Sequence, residues 1–167
     1  MKRALAILAF GTLSACRSAR HDFELATSAR ALPEAGLGFA VAFEQRIGTA
    51  SGLPLDLELG YEEVPLDEEG PLGDDWRRAF AGIVLRSDGA GPRAAFGVTW
   101  VRTDAAVQGL ETFGDFGGAY LSLGHSFALR PAVRTGPELV GAWLDSEGDR
   151  AGSGSFIGFA WRFALCF

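Results

Sequence analysis

Large apolar residues recur at every second position in several stretches of this chain. Leu37, Phe39, Val41 and Phe43 alternate with Gly38, Ala40, Ala42 and Glu44, and Arg46 continues the second series. Leu53, Leu55, Leu57, Leu59 and Tyr61 are offset by one from Asp56, Glu58, Gly60 and Glu62. Ala94, Phe96, Val98 and Trp100 oppose Arg93, Ala95, Gly97 and Thr99, while Ala119, Leu121, Leu123, His125 and Phe127 oppose Gly118, Tyr120, Ser122, Gly124 and Ser126. The last segment, from Ser155 to Phe167, sets Ile157, Phe159, Trp161, Phe163, Leu165 and Phe167 against Gly158, Ala160, Arg162, Ala164 and Cys166. Because successive side chains of a strand point to opposite faces, each pattern predicts a strand with one apolar wall and one wall of small or charged groups.

Turn-forming residues divide the chain into eight predicted strands, at 22–30, 36–47, 53–64, 76–86, 93–103, 116–129, 132–144 and 154–167. Three connections are long, Pro65 to Asp75, Asp104 to Asp115 and Asp145 to Ser153. Gly48 to Gly52, Ser87 to Pro92 and the Arg130–Pro131 corner are short, and Ala31 to Ala35 is too short to assign to either class. Two places strain the pattern. Pro137 lies inside the seventh strand, where a closed sheet has no free edge to excuse a missing N–H, so a bulge at Gly136–Pro137 is predicted. In the fourth strand both Phe80/Gly82/Val84 and Ala81/Ile83/Leu85 fit an apolar wall.

The chain's 167 residues and 23 glycines suit one β domain. At the N-terminus Lys2 and Arg3 precede an apolar run from Ala4 to Leu13 and then Leu13-Ser14-Ala15-Cys16. That layout predicts a secretory signal peptide over 1–15, followed by a short linker over 16–21 and the barrel domain over 22–167. After the signal no apolar run reaches the ~20 residues of a spanning helix, so a membrane crossing must use a closed barrel. The expected fold class is therefore all-β: an eight-stranded antiparallel up-and-down transmembrane barrel, with small inward residues fitting a narrow lumen. The four tryptophans Trp76, Trp100, Trp143 and Trp161 fall toward strand ends, where indole rings suit a membrane interface.

Ending on Phe after alternating apolar residues resembles the C-terminal strand of bacterial outer-membrane β-barrels. By that resemblance Phe163, Leu165 and Phe167 form the signal read by the barrel assembly machinery. The size and pattern are similar to small outer-membrane barrels of the OmpA/OmpX type, which implies an outer-membrane location with long loops outside and both chain ends in the periplasm. Leu13-Ser14-Ala15-Cys16 resembles the bacterial lipobox, which implies cleavage before Cys16 and acylation of its thiol. Arg17 after that cysteine resembles lipoproteins sorted onward to the outer membrane. Without acylation, Cys16 and Cys166 would be the one pair available for a disulfide.

Removing residues 1–15 takes away Lys2 and Arg3 and leaves 13 basic against 21 acidic residues, a net charge of −8. That balance argues against nucleic acid as a partner. No Cys/His spacing marks a metal site, and nothing in the sequence implies a cofactor. The inward series predicts a polar lumen network of Glu44, Arg46, Asp56, Glu58, Glu62, Arg93, Arg134, Glu138 and Arg162, paired among themselves because lone charges there would be costly. A gated proton or ion path is the functional rival for the same residues. A symmetric turn at Gly48–Gly52 sets Arg46 opposite Asp56 and Glu44 opposite Glu58, so the two carboxylates require an inward Arg from another strand, with Arg134 and Arg162 the candidates. Asp67, Glu68, Glu69, Asp74, Asp75, Asp145, Glu147 and Asp149 lie in or beside long loops and lack the fixed ligand pattern of a calcium loop, so they read as solvated loop tips.

The functional expectation is a monomeric, non-enzymatic outer-membrane protein with outer-membrane lipid around it and a structural or surface-interaction role. One alternative is a lipid-modifying enzyme, since some eight-stranded outer-membrane barrels are lipid A deacylases with an H-x-S arrangement and an acid. Here position 127 is Phe, and His125 and Ser126 face opposite ways on a strand. Another is a lipid-anchored periplasmic barrel with an apolar ligand inside, which would turn its apolar face inward.

Overall fold

The computed structural model describes residues 23–32, 36–65, 75–87, 90–103, 114–146 and 153–167. The predicted signal peptide, Cys16 and the linker lie outside these residues, as do most of the long loops with Asp67, Glu68, Glu69, Asp74, Glu147 and Asp149. Eight strands follow one another: β1 (Phe23–Leu32), β2 (Gly36–Ala50), β3 (Leu53–Pro65), β4 (Asp75–Arg86), β5 (Gly91–Thr103), β6 (Gly114–Arg130), β7 (Val133–Ser146) and β8 (Ser153–Cys166). Each pairs antiparallel with its neighbours in sequence, and β1 pairs with β8 to close the barrel. At that seam the Phe23 N–H donates to the Phe167 carbonyl (3.1 Å) and the Phe167 N–H to that of Phe23 (3.0 Å). A closed sheet leaves no strand edge open, and this one runs every connection between adjacent strands.

The β3–β4, β5–β6 and β7–β8 connections, the three long ones, share one end of the barrel with the brief β1–β2 connection, and β2–β3, β4–β5 and β6–β7 are joined by short turns at the other. The β2–β3 turn is only Ser51-Gly52, both at positive φ (52° and 82°), the twist-matched geometry of a two-residue hairpin. It is tighter than the predicted Gly48–Gly52 turn, and a register shift between Arg46 and Gly48 absorbs the difference. Arg46 still pairs with Asp56 and Glu44 with Glu58. Around Pro137 the expected bulge does not occur. The β6–β7 partners break off after Gly124↔Glu138 and resume at Phe127↔Thr135 in unchanged register, and Pro137 stays in register with Trp161 of β8. The ladder tolerates the missing donor by omitting pairs, and its register shift lies instead near the turn, between Ala128 and Arg130.

The outward face is an apolar belt. Phe39, Val41, Leu59, Tyr61, Phe96, Val98, Trp100, Leu123, Leu139, Trp143 and the whole odd-numbered series Ile157 to Phe167 are exposed. Ten residue steps along β8 at ~3.3 Å, tilted by ~40°, rise about 25 Å. At the long-loop end the belt stops at a cross-strand row of charge, Glu63↔Arg77↔Arg102↔Asp115. All four are exposed, with loose pairs at 3.9 Å (Arg77–Glu63) and 4.0 Å (Arg102–Asp115).

The inward face divides into two halves. Toward the long loops Val64, Trp76, Phe80, Val101, Phe116, Tyr120, Leu144 and Phe156 form an aromatic and aliphatic core. This half departs from the small-residue lumen expected throughout, and it resolves the ambiguity of β4, whose Trp76, Phe80, Gly82 and Val84 all turn inward. Trp76 is a correction in its own right: it is no interfacial anchor but fully buried, edge-on to Phe156 with ring centroids 4.9 Å apart. Glycines provide the room these rings need. A Cβ at Gly60 would strike the Phe80 ring, and one at Gly82 would meet the Tyr120 hydroxyl and come 2.5 Å from the Phe96 carbonyl oxygen.

Candidate functional site

The short-turn half of the interior holds nearly all of its charge. Arg93, on β5 and almost fully buried, reaches three carboxylates from three other strands. Its Nη2 donates to Glu44 Oε1 (2.6 Å) and Glu58 Oε1 (2.5 Å), and its Nη1 donates to Glu138 Oε1 (2.6 Å) and Ser122 Oγ (3.0 Å). Arg162 of β8 adds Nη2 to Glu44 Oε1 (2.5 Å) and to Glu24 Oε1 (3.1 Å), with Nη1 3.4 Å from Glu58 Oε1. The facing carboxylates Glu44 and Glu58 are thus held apart by two guanidiniums. Of the two predicted candidates Arg162 takes that place, while Arg134 approaches Glu24 at 3.6 Å.

Asp56 lies between two cations as well. Arg46 Nε donates to its Oδ1 (3.1 Å), and Arg86 Nε donates to its Oδ2 in a very short contact. Arg86 also approaches Glu24 (3.3 Å) and Glu44 (3.7 Å). Ser122 donates to Glu138, again very closely, and the Tyr120 hydroxyl donates to Glu58 Oε2 at 2.9 Å. The Cys166 thiol, buried on the inner face of β8, lies 3.4 Å from Glu24 Oε2. Apart from this cluster, Glu62 binds Arg78 Nη1 (3.0 Å) within the aromatic half. The Arg78 guanidinium donates to Thr99 (3.0 Å) and lies over Phe80, 4.5 Å from the ring centroid, so a cation–π contact replaces part of its lost hydration.

All nine residues of the expected lumen network therefore face inward, and sequence reasoning missed Glu24, Arg78, Arg86 and Tyr120. Among the described side chains the interior carries Glu24, Glu44, Asp56, Glu58, Glu62 and Glu138 against Arg46, Arg78, Arg86, Arg93, Arg134 and Arg162. Among these described side chains the six formal charges of each sign cancel. Each cation is a guanidinium, whose planar fork bridges several carboxylates at once where an ammonium presents a point charge. Two cavities touch the network. Each has about 10 Å³ of free volume, room for one water. The arrangement packs charge against charge across the width of the barrel.

Other candidate chemistry does not assemble. His125 is exposed on the outer wall with its ring centroid 4.7 Å from that of Phe127, whereas Ser126 lies on the opposite face and Glu138 is held by Arg93 and Ser122. Among the described residues no His/Cys/Asp/Glu group has the geometry to hold a metal ion. Phe163, Leu165 and Phe167 stand exposed along the outer face of β8, where Trp161 Nε1 donates to Thr135 Oγ1 (2.8 Å) across to β7.

No protein-family model and no curated protein matches the chain. Among solved structures, neisserial surface protein A is 12% identical over 87% of this chain and 94% of its own, with a TM-score of 0.50. Ail, the attachment invasion locus protein of Yersinia pestis, is 11% identical over 88% of this chain and 99% of its own, with a TM-score of 0.47. The likeness to the neisserial protein is one of fold, a closed eight-stranded antiparallel barrel.

Proposed function

We propose that this chain is an outer-membrane barrel that acts through its wall and loops rather than through catalysis or transport, as a structural or surface-interaction component of the bacterial envelope. The observation that carries this reading is the inversion of the barrel: a continuous apolar belt faces out while a charge-balanced, packed network fills the short-turn half of the interior. Water would not tolerate such a belt on a monomer, since soluble surfaces rarely expose apolar patches beyond a few hundred Å². An interior ligand would need a cavity many times the 10 Å³ found beside the network. Lipid around the belt, recognition of the terminal strand by the assembly machinery and an acyl anchor on Cys16 complete the proposal.

The test is fractionation of cells expressing the full chain, followed by gels of heated and unheated samples. The protein should remain in outer-membrane sheets through alkaline and high-salt extraction and migrate differently when unheated. Release as a soluble protein once the acyl anchor is removed would overturn the transmembrane reading.

A further inference from the structure

The outer wall has a depression that the barrel's own packing does not require. It lies over β7 toward the long-loop end, where Gly141 sits in a row between Leu121 of β6 and Ile157 of β8. Leu123, Leu139 and Trp143 rise around it, and the space measures about 220 Å³. Glycines 38, 60, 82, 97, 118, 124 and 136 are closely covered, each with a neighbouring atom less than 3.0 Å from where a Cβ would sit. At Gly141 the nearest atom to such a Cβ is the Phe156 carbonyl oxygen at 3.7 Å, ordinary contact, so an added methyl would fit without strain. The missing side chain therefore opens the wall without relieving any crowding. Above Gly141, Trp143 stands between Ala119 and Ser155, small residues that leave both flanks of the indole open.

We infer that this depression seats one acyl chain of a membrane lipid from the leaflet at the long-loop end. The inference rests on the membrane reading above, because the groove is continuous with the apolar belt. Its position at the loop end of the belt places it in the outer leaflet. Ser155 and Trp143, the two lining residues with polar groups, are cross-strand partners on the side nearer the charged row, where a headgroup would begin. Nine residues line it, against the ~20–30 a side of a stable protein interface, which favours a single chain over a protein partner.

Native mass spectrometry tests this on the full mature chain, folded into vesicles of phosphatidylethanolamine and phosphatidylglycerol and then released in mild detergent. The wild type should retain one lipid per monomer, and Gly141→Leu should lose at least tenfold of that adduct. Gly60 is no control because it is crowded; Ala81→Leu, on the outer face of β4, should leave the adduct unchanged. Equal retention in wild type and Gly141→Leu overturns the site, and so does a dimer that Gly141→Leu abolishes, which would assign the depression to a second copy. Quenching of a Trp100 reporter by acyl-brominated lipid in the same vesicles tests insertion separately. Quenched Trp100 without a retained lipid rejects the groove alone, whereas unquenched Trp100 rejects both groove and membrane reading.

Discussion

Arg93 is the residue whose loss should cost this barrel most. Replacing it by methionine keeps much of the side-chain volume and removes the one cation shared by Glu44, Glu58 and Glu138. The three are not left equally exposed to that loss. Glu44 keeps Arg162 at 2.5 Å and Arg86 at 3.7 Å; Glu58 keeps Arg162 at 3.4 Å and the Tyr120 hydroxyl at 2.9 Å. Glu138 keeps the Ser122 hydroxyl and the longer-range field of Arg162, but loses the guanidinium that touches it at 2.6 Å. Breaking a buried pair in this way costs about 3–5 kcal/mol. Glu138→Gln alone leaves Arg93 with two carboxylates and should cost about 1–3 kcal/mol, the range for an impaired buried hydrogen bond. Combining the two restores the interior's charge balance, so the double variant should be more stable than additivity predicts by about 1–3 kcal/mol. Glu44→Gln in the Arg93→Met background should recover less, because Glu44 has other cations. Urea unfolding of the vesicle-folded protein, read by gel mobility of unheated samples, measures each corner of the cycle. Additive losses for Arg93 and Glu138, or equal recovery by Glu44→Gln and Glu138→Gln, would refute the reasoning.

Arg46→Ala should destabilise by only about 1–2 kcal/mol, because Asp56 retains Arg86, and the effect should shrink further in an Asp56→Ala background when the same unfolding assay is applied. Deleting Phe167 or changing it to Ala should lower the folded yield in outer membranes several-fold, whereas an equivalent change in a long loop should not; quantifying heat-modifiable protein in membrane fractions decides it. Cys16→Ser should abolish incorporation of labelled fatty acid and accumulate uncut precursor, and a normally processed, unlabelled wild type would show the Leu13–Cys16 tetrad to be accidental.

The strand pattern was legible where one face is uniformly large and the other uniformly small or charged. Those conditions hold through β2, β3 and β5, and in β6 and β8 apart from the inward Phe116, Tyr120 and Phe156, and the order of short and long connections then led to the closed barrel. They fail for β4, whose inner face carries Trp76, Phe80 and Val84 because it builds the aromatic half of the interior. With its facing undecided, Arg78 and Arg86 could not be assigned inward, although they share parity with Phe80 and Gly82. Glu24 was missed for a related reason: β1 has modest outward groups, Thr27 and Ala29 among them, so its inner series drew no notice. Trp76 illustrates the ambiguity of an aromatic near a strand end, which fits an interface or a core equally until the neighbouring Phe156 is placed beside it. Pro137 misled in the opposite direction. A bulge is one remedy for a missing donor, and a gap in the ladder at constant register is another that sequence does not distinguish. The pairing of Glu44 with Glu58 followed from the hairpin, but the cation between them came chiefly from β5, whose distance around the barrel no local register reveals.

The seam between β1 and β8 also fixes an order of events. Arg162 reaches Glu58, Glu44 and Glu24 across 104, 118 and 138 residues of sequence, so these contacts wait for the seam to close. Until then Glu24 and Glu44 lack one of their closest guanidiniums, which stays on the far edge of the open sheet. Closing so large a loop is slow, because its entropy is spent before any contact repays it. Closure of the sheet and pairing of these charges thus coincide in a single step, and a chain truncated before Arg162 would be both open-edged and short of the cation that Glu24, Glu44 and Glu58 share.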